Sequence, residues 1–182
     1  NLVFDNETSK FTFGDHTPDS IYVINVNRAR YKQRLTLGTL NLQISGTSVH
    51  LDKSVQTTIH LTEDSLTNTN GTGTSNLGTY YNIVSGSSGQ ILTGTTAATQ
   101  VGGTGSYGHF YPEAGLIILN GEAFTGSLNA KTNFTLNPGG PTANTDRNHE
   151  TFYRALSGST AIAGEGGKSY FIVDTTEEIN SN

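Results

Sequence analysis

Residues 37–46 read LGTLNLQISG, and they decide the fold class. Leu40, Leu42 and Ile44 alternate with Thr39, Asn41 and Gln43. A period of two puts the three aliphatics on one face of an extended chain and the polar residues on the other, the pattern of a half-buried β-strand. The stretch before it, IYVINVNRARY (21–31), alternates too, with Tyr22, Ile24 and Val26 on one face and Ile21 and Val23 on the other. Gly38 stands in the connection between them, where a positive φ suits a hairpin or a bulged corner. The two stretches are therefore expected to pair. SVHLDKSVQTTIHL (48–61) reads as a further hairpin turning near Asp52–Lys53.

Further along, YYNIV (80–84) and QILTG (90–94) are short strands around a GSSG turn. In YGHFYPEAGLIILNGEAF (107–124), Pro112 opens a strong turn signal and LIIL (116–119) is apolar enough to be buried on both faces. KSYFIVD (168–174) is a last strand, and HETFYRALSG (149–158) is the one segment with helical spacing. TNTNGTGTSNLG (67–78), TGTTAATQVGGTGS (93–106) and NPGGPTANTD (137–146) carry little apolar content and are expected as loops. No fixed-period repeat occurs, so solenoids and propellers are not indicated. The expectation is a single all-β domain over 1–182: an antiparallel β-sandwich or flattened barrel with long polar loops and at most one short helix. Its core is expected to contain Tyr22, Ile24, Leu40, Leu42, Ile44, Ile117, Leu119, Phe171 and Val173.

Composition agrees with many strands and turns. Only 33% of the 182 residues are hydrophobic and 14% are charged, and 22 glycines with abundant Thr, Ser and Asn fill the difference. A net charge of −5 with 9% aromatics argues against wholesale disorder. The absence of Cys excludes disulfides, thiolate nucleophiles and Cys-based zinc sites. No apolar run approaches the length of a membrane span, so no membrane partner is expected. Met is absent, the chain opens NLVFDNE and closes EEINSN, and a segment of a longer polypeptide or a processed product is expected.

Chemistry-bearing patterns are sparse. SGSSG (85–89) lacks the frame of a nucleophile elbow and reads as a turn. The histidines at 16, 50, 60, 109 and 149 contain no pair at i, i+2 or i, i+4; His50 and His60, on separate strands, are the two that might face each other. Asp5, Asn6 and Glu7, like Glu177 and Glu178, are close in sequence without the spaced ligand run of a calcium loop. Distant carboxylate pairs for glycosidic chemistry stay open, although Trp, the usual sugar platform, is absent. Tyr107, His109, Phe110 and Tyr111 crowd ahead of the Pro turn and fit core and corner positions better than a stacking site. GEGGK (164–168) lacks the frame of a phosphate loop, and the sequons at Asn6, Asn70 and Asn133 are expected by chance in so Thr-rich a chain. No catalytic residue, metal site or cofactor is assigned.

One feature does stand out. NRARYKQR (27–34) holds Arg28, Arg30, Lys32 and Arg34, four of the ten Lys and Arg. As one strand, these four share a face within roughly 20 Å; if the chain turns helical after Asn27, the stripe splits. Six Lys and Arg face fifteen Asp and Glu in the rest of the chain, a net of −9, and such a body is repelled by nucleic acid. A basic strip on an acidic body fits contact with acidic protein surface, within the fold or on a neighbour, ahead of a plain solvated face. The four cations are therefore the candidate interface residues.

Three stretches taken in order, IYVINVNRARYKQRLTLGTLNLQISG, YGHFYPEAGLIILNGEAF and KSYFIVDTTEEINSN, resemble segments of virion structural proteins of contractile-tailed bacteriophages. Those proteins carry an RARYK strand with a following L-x-L-x-x-G strand, a Y-P-x-x-G-x-I-x-L-N turn and strand, and a Y-F strand running into an Asn-rich tail. The match covers about a third of the chain. It implies a non-enzymatic assembly protein located in the virion, in the tail, baseplate, fibre attachment or capsid surface. It also implies copies of itself and other virion proteins as partners, with Arg28, Arg30, Lys32 and Arg34 in a framework or contact strand. A carbohydrate-binding or adhesin-type β-sandwich module, meeting a host-surface glycan, shares the same all-β, Thr/Asn/Gly-rich character and is the alternative.

Overall fold

The computed structural model describes residues 10–14, 17–19, 21–31, 33–50, 53–92, 106–124, 134–136 and 171–178. Over these residues the chain is all-β, an antiparallel sheet curled into a half-barrel. The alternating stretch 37–46 supplies the first half of β3 (Asn41–His50), which returns through residues 51–52 as β4 (Lys53–Glu63). Their register sets Leu42 against Leu61 and Ile44 against Ile59, so the aliphatic sets of both strands share one face.

The other strands extend this hairpin on both sides. β6 (Gly78–Ser87) pairs with the end of β4, β8 (Gly108–Tyr111) pairs with β6, and β9 (Leu116–Asn120) pairs with β8 through the Pro112–Gly115 turn. β1 (Ile21–Asn25) closes that side by pairing with β9. On the far edge of β3, β10 (Phe134–Leu136) and β11 (Phe171–Asp174) lie end to end. β5 (Gly73–Ser75) and β7 (Gln90–Ile91) are short flaps on β6, and β2 (Arg34–Leu35) forms a separate ribbon with β12 (Glu177–Glu178).

Two expectations are corrected by this topology. Stretches 21–31 and 37–46 do not pair; β1 and β3 lie at opposite ends of the sheet order β1-β9-β8-β6-β4-β3. The reason is side-chain matching. Tyr22 and Ile24 lie opposite Leu119 and Ile117 on the core side, an apolar partner that β3 finds instead in β4. The supposed loop 67–78 also contains structure, since β5 folds back through Asn76–Leu77 onto the start of β6. Thr and Ser tolerate a pleated surface even without an apolar pattern to announce it. The segment 149–158, the loops at 93–105 and 137–146 and the GEGGK run fall outside the described residues.

The main core fills the concave face. Tyr22, Leu40, Leu42, Ile44, Ile117 and Leu119 are buried in one cluster with Tyr31, Leu35, Leu61, Ile83, Tyr107 and Phe110, and Ile24 and Val173 pack on its margin. All the expected core residues with described side chains are present there; that of Phe171 is not described. Each fully buried aliphatic or aromatic side chain contributes about 2 kcal/mol. Phe13, Tyr111 and Ile118 make a smaller cluster on the opposite face. Residues 116–119 thus serve both sides, as an apolar run buried on two faces should. Gly108 lets β8 and β9 approach: a Cβ there would strike the carbonyl oxygen of Ile118.

Candidate interface at the end of the half-barrel

After Asn25 the sequence turns polar, and a run such as NRARYKQR cannot continue a strand that is buried on one face. Asn27 acts as an N-cap, its Oδ1 accepting from the Ala29 N–H at 2.9 Å, and Arg28–Arg30 form a single 3-10 turn. Tyr31 returns to extended geometry and inserts its ring into the core, 4% exposed. Gly115 makes room for it: at φ +64°, a Cβ on Gly115 would meet the Tyr31 ring.

Segment 26–36 crosses the end of the half-barrel and is fastened at three points. The Val26 N–H donates to the Gly115 carbonyl at 2.9 Å, and the Leu35 N–H donates to the Pro112 carbonyl at 3.0 Å. The Thr36 N–H donates to the Thr176 carbonyl at 2.8 Å, beside the β2–β12 ribbon. The strap therefore binds the β8–β9 turn to the last described segment of the chain.

The four candidate cations divide. Arg28 donates through Nη1 to the carbonyls of Gln33 (3.0 Å) and Glu113 (3.1 Å), and its guanidinium carbon lies 4.6 Å from the centre of the Tyr31 ring. Arg30, on the same turn, is exposed. Arg34 is half-buried in β2, opposite Glu178. Lys32 lies outside the described residues. The single basic strand face is corrected: the 3-10 turn splits the stripe, placing Arg28 and Arg30 together and Arg34 on a different element.

Two concavities flank this turn. A polar one of about 820 Å³ is lined by Asn25, Asn27, Arg28, Tyr31, Glu113 and Ala114. An amphipathic one of about 710 Å³ lies between the end of β1 and the end of β11, with Ile24, Val26, Leu35 and Val173 as apolar lining and Arg30, Asp174, Thr175 and Thr176 as polar lining.

Titratable groups elsewhere serve the fold. Glu63 is fully buried at the end of β4; its Oε1 accepts from the Gly38 N–H at 2.5 Å, and its Oε2 accepts from the Ser65 hydroxyl at 3.0 Å and the Ser65 N–H at 3.4 Å. Burial pushes its pKa up, and these donors pull it partly back. Asp64 holds Asn82 by both carboxylate oxygens, at 3.0 and 3.1 Å, and burial raises its pKa as well. Neither lines the flanking concavities. Sequence reasoning read Glu63 as an ordinary solvated acid, although its period of two with Leu61 was the available sign that it points inward.

His109 is 4% exposed, with ring centres of Phe13 and Tyr80 at 4.7 and 4.4 Å, and burial lowers its pKa to about 4. Its Nδ1 has no hydrogen-bond partner among the described residues. Tyr107, Phe110 and Tyr111 beside it are buried in the two clusters, in accord with a structural reading. His50 and His60 do not face each other, since their register partners are Lys53 and Gln43. Among the described residues no three His, Asp or Glu side chains group to hold a metal ion, and no helix is long and apolar enough to cross a membrane. No protein-family model, curated protein or solved structure matches the chain.

Proposed function

We propose that the chain is a non-enzymatic structural component of a bacteriophage particle, located in the virion and working through contacts with copies of itself and with other virion proteins. The observation that carries this reading is the end of the half-barrel. There, a cationic 3-10 turn is fixed by main-chain bonds on a molecule whose other residues are net acidic. A fixed turn presents Arg30 without a large loss of side-chain and loop freedom on contact, and acidic surface on a neighbour is its natural complement. The ordered resemblance of three stretches to contractile-tail virion proteins supplies the biological setting. The non-enzymatic part draws support from Glu63, Asp64 and His109, whose contacts all fasten the fold.

The glycan-binding alternative wants an open aromatic face. Tyr31, the aromatic lining of the polar concavity, is buried to 4% and covered by the Arg28 guanidinium, so protein contact is the preferred reading. Light scattering of the full chain at low and high salt tests it. Defined oligomers that dissociate in high salt, and that weaken in Arg30→Glu, are expected. A monomer at every salt concentration, together with binding on a glycan array, overturns the reading.

A further inference from the structure

Between β1 and β11 the sheet runs through β9, β8, β6, β4 and β3, and each of the six neighbouring pairings is antiparallel. Six reversals restore the starting direction, so the terminal strands β1 and β11 run the same way. A ring of alternating strands needs an even number, and these seven cannot close on themselves without one parallel pair. A single additional strand, antiparallel to both edges, completes an eight-stranded ring. Among the described residues no strand pairs with the outer edge of β1 or of β11.

The amphipathic concavity lies where that strand belongs, because its lining comes from the ends of β1 and β11. From strand rise, strand spacing and sheet thickness, one strand residue occupies about 160 Å³. A volume of about 710 Å³ thus holds four to five residues, the length of β11 and of β1. Ile24, Val26 and Val173 pack on the main core and offer an apolar floor. Arg30 and Asp174 are exposed at the rim with opposite charges, and the one ion pair among the described residues is elsewhere, Lys10–Asp19.

We propose that this cleft is a docking site for one extended arm of another polypeptide, inserted antiparallel between β1 and β11. Main-chain hydrogen bonds to both edges supply affinity, as in other strand additions. The arm carries apolar side chains at alternate positions toward the floor, with an acidic and a basic residue between them to meet Arg30 and Asp174. It has both of its own edges free, so it is a projecting arm and not a strand of a folded sheet. The inference does not depend on the virion reading: a cleft that takes an arm is compatible with any host assembly.

The test is amide hydrogen exchange on the full chain, with a synthetic capped peptide of alternating valine that carries glutamate and lysine at the intervening positions. Residues 21–25 and 171–174 are expected to slow together by about tenfold or more at saturating peptide, because an inserted strand bonds both edges. A version with proline at its centre is expected not to protect them. The double variant Arg30→Glu, Asp174→Lys alters only exposed side chains and is expected to weaken peptide binding about fivefold. Peptide-free, concentration-dependent protection of the same two strands supports the site and identifies a second copy as the donor. Protection of β1 alone, protection elsewhere, or no binding overturns the proposal.

Discussion

Replacing Glu63 by alanine strands the donors that its carboxylate now receives: the N–H of Gly38, and the N–H and hydroxyl of Ser65. The hydroxyl can rotate toward another acceptor, but the two backbone donors cannot. At about 1–3 kcal/mol for each buried unsatisfied group, and with relief from desolvating a carboxylate set against it, the net loss is about 3 kcal/mol. Glutamine keeps one acceptor oxygen and the side-chain volume, so Glu63→Gln is expected to cost about 1 kcal/mol. The two also differ in pH dependence. The pKa of Glu63 is higher in the folded state, so its contribution to stability is fully present below the ordinary glutamate range of about 4.3 and is lost as pH rises through the folded value. Glutamine does not titrate, and its penalty relative to the wild type shrinks between pH 5 and pH 8. Urea unfolding followed by far-UV circular dichroism at several pH values measures all three quantities. A cost below about 1 kcal/mol for alanine, or a glutamine penalty that grows with pH, would refute the fastening role.

His109 runs in the opposite sense: with a folded pKa of about 4, its contribution is present above the ordinary histidine value of about 6.5 and is lost as pH falls toward 4. Ring signals that stay neutral down to about pH 4 are expected in an NMR titration; a midpoint near the ordinary value contradicts the burial described for it. Gly108→Ala places a methyl group against the Ile118 carbonyl, and the backbone of β8 or β9 must shift, so a loss of about 3 kcal/mol is expected by urea unfolding. Arg28→Ser removes two hydrogen bonds and a ring contact and is expected to cost about 1 kcal/mol, while Arg30→Ser stays within about 0.5 kcal/mol yet reduces salt-sensitive assembly. Equal thermal shifts for the two arginine variants would contradict that division.

The legibility of this fold follows the apolar pattern. Where aliphatics alternate, at 40–44 and 117–119, both the strands and the inward side chains were readable, because a period of two fixes the buried face. Which strand pairs with which was not readable for β1. Its partner β9 is distant in sequence, and two amphipathic strands joined by a short connection look like a hairpin whether or not they form one. The flap β5 gave no signal, since its register is held by the main chain and a tight turn, not by an apolar face. At the candidate interface, the cationic cluster was readable from composition. Its division was not, because the Asn27 cap, the insertion of Tyr31 and the two carbonyls that anchor Arg28 depend on the β8–β9 turn, which is brought alongside by tertiary folding.

The distance along the chain between β1 and β9 also bears on how the protein is made. β3, β4, β6, β8 and β9 pair in the order in which they are synthesised, so each can zip onto the one before it. β1 is made first and paired last among these, since Asn25 waits for Leu116. At ordinary synthesis rates the intervening stretch of about 90 residues takes about 5–20 seconds to emerge. Throughout that time an alternating strand with Val23, Ile24 and Val26 has no partner in its own sheet. The nascent chain is therefore most vulnerable to aggregation and most dependent on a holding chaperone before residue 116 leaves the ribosome, and ribosome-bound chains truncated before and after β9 would differ sharply in solubility.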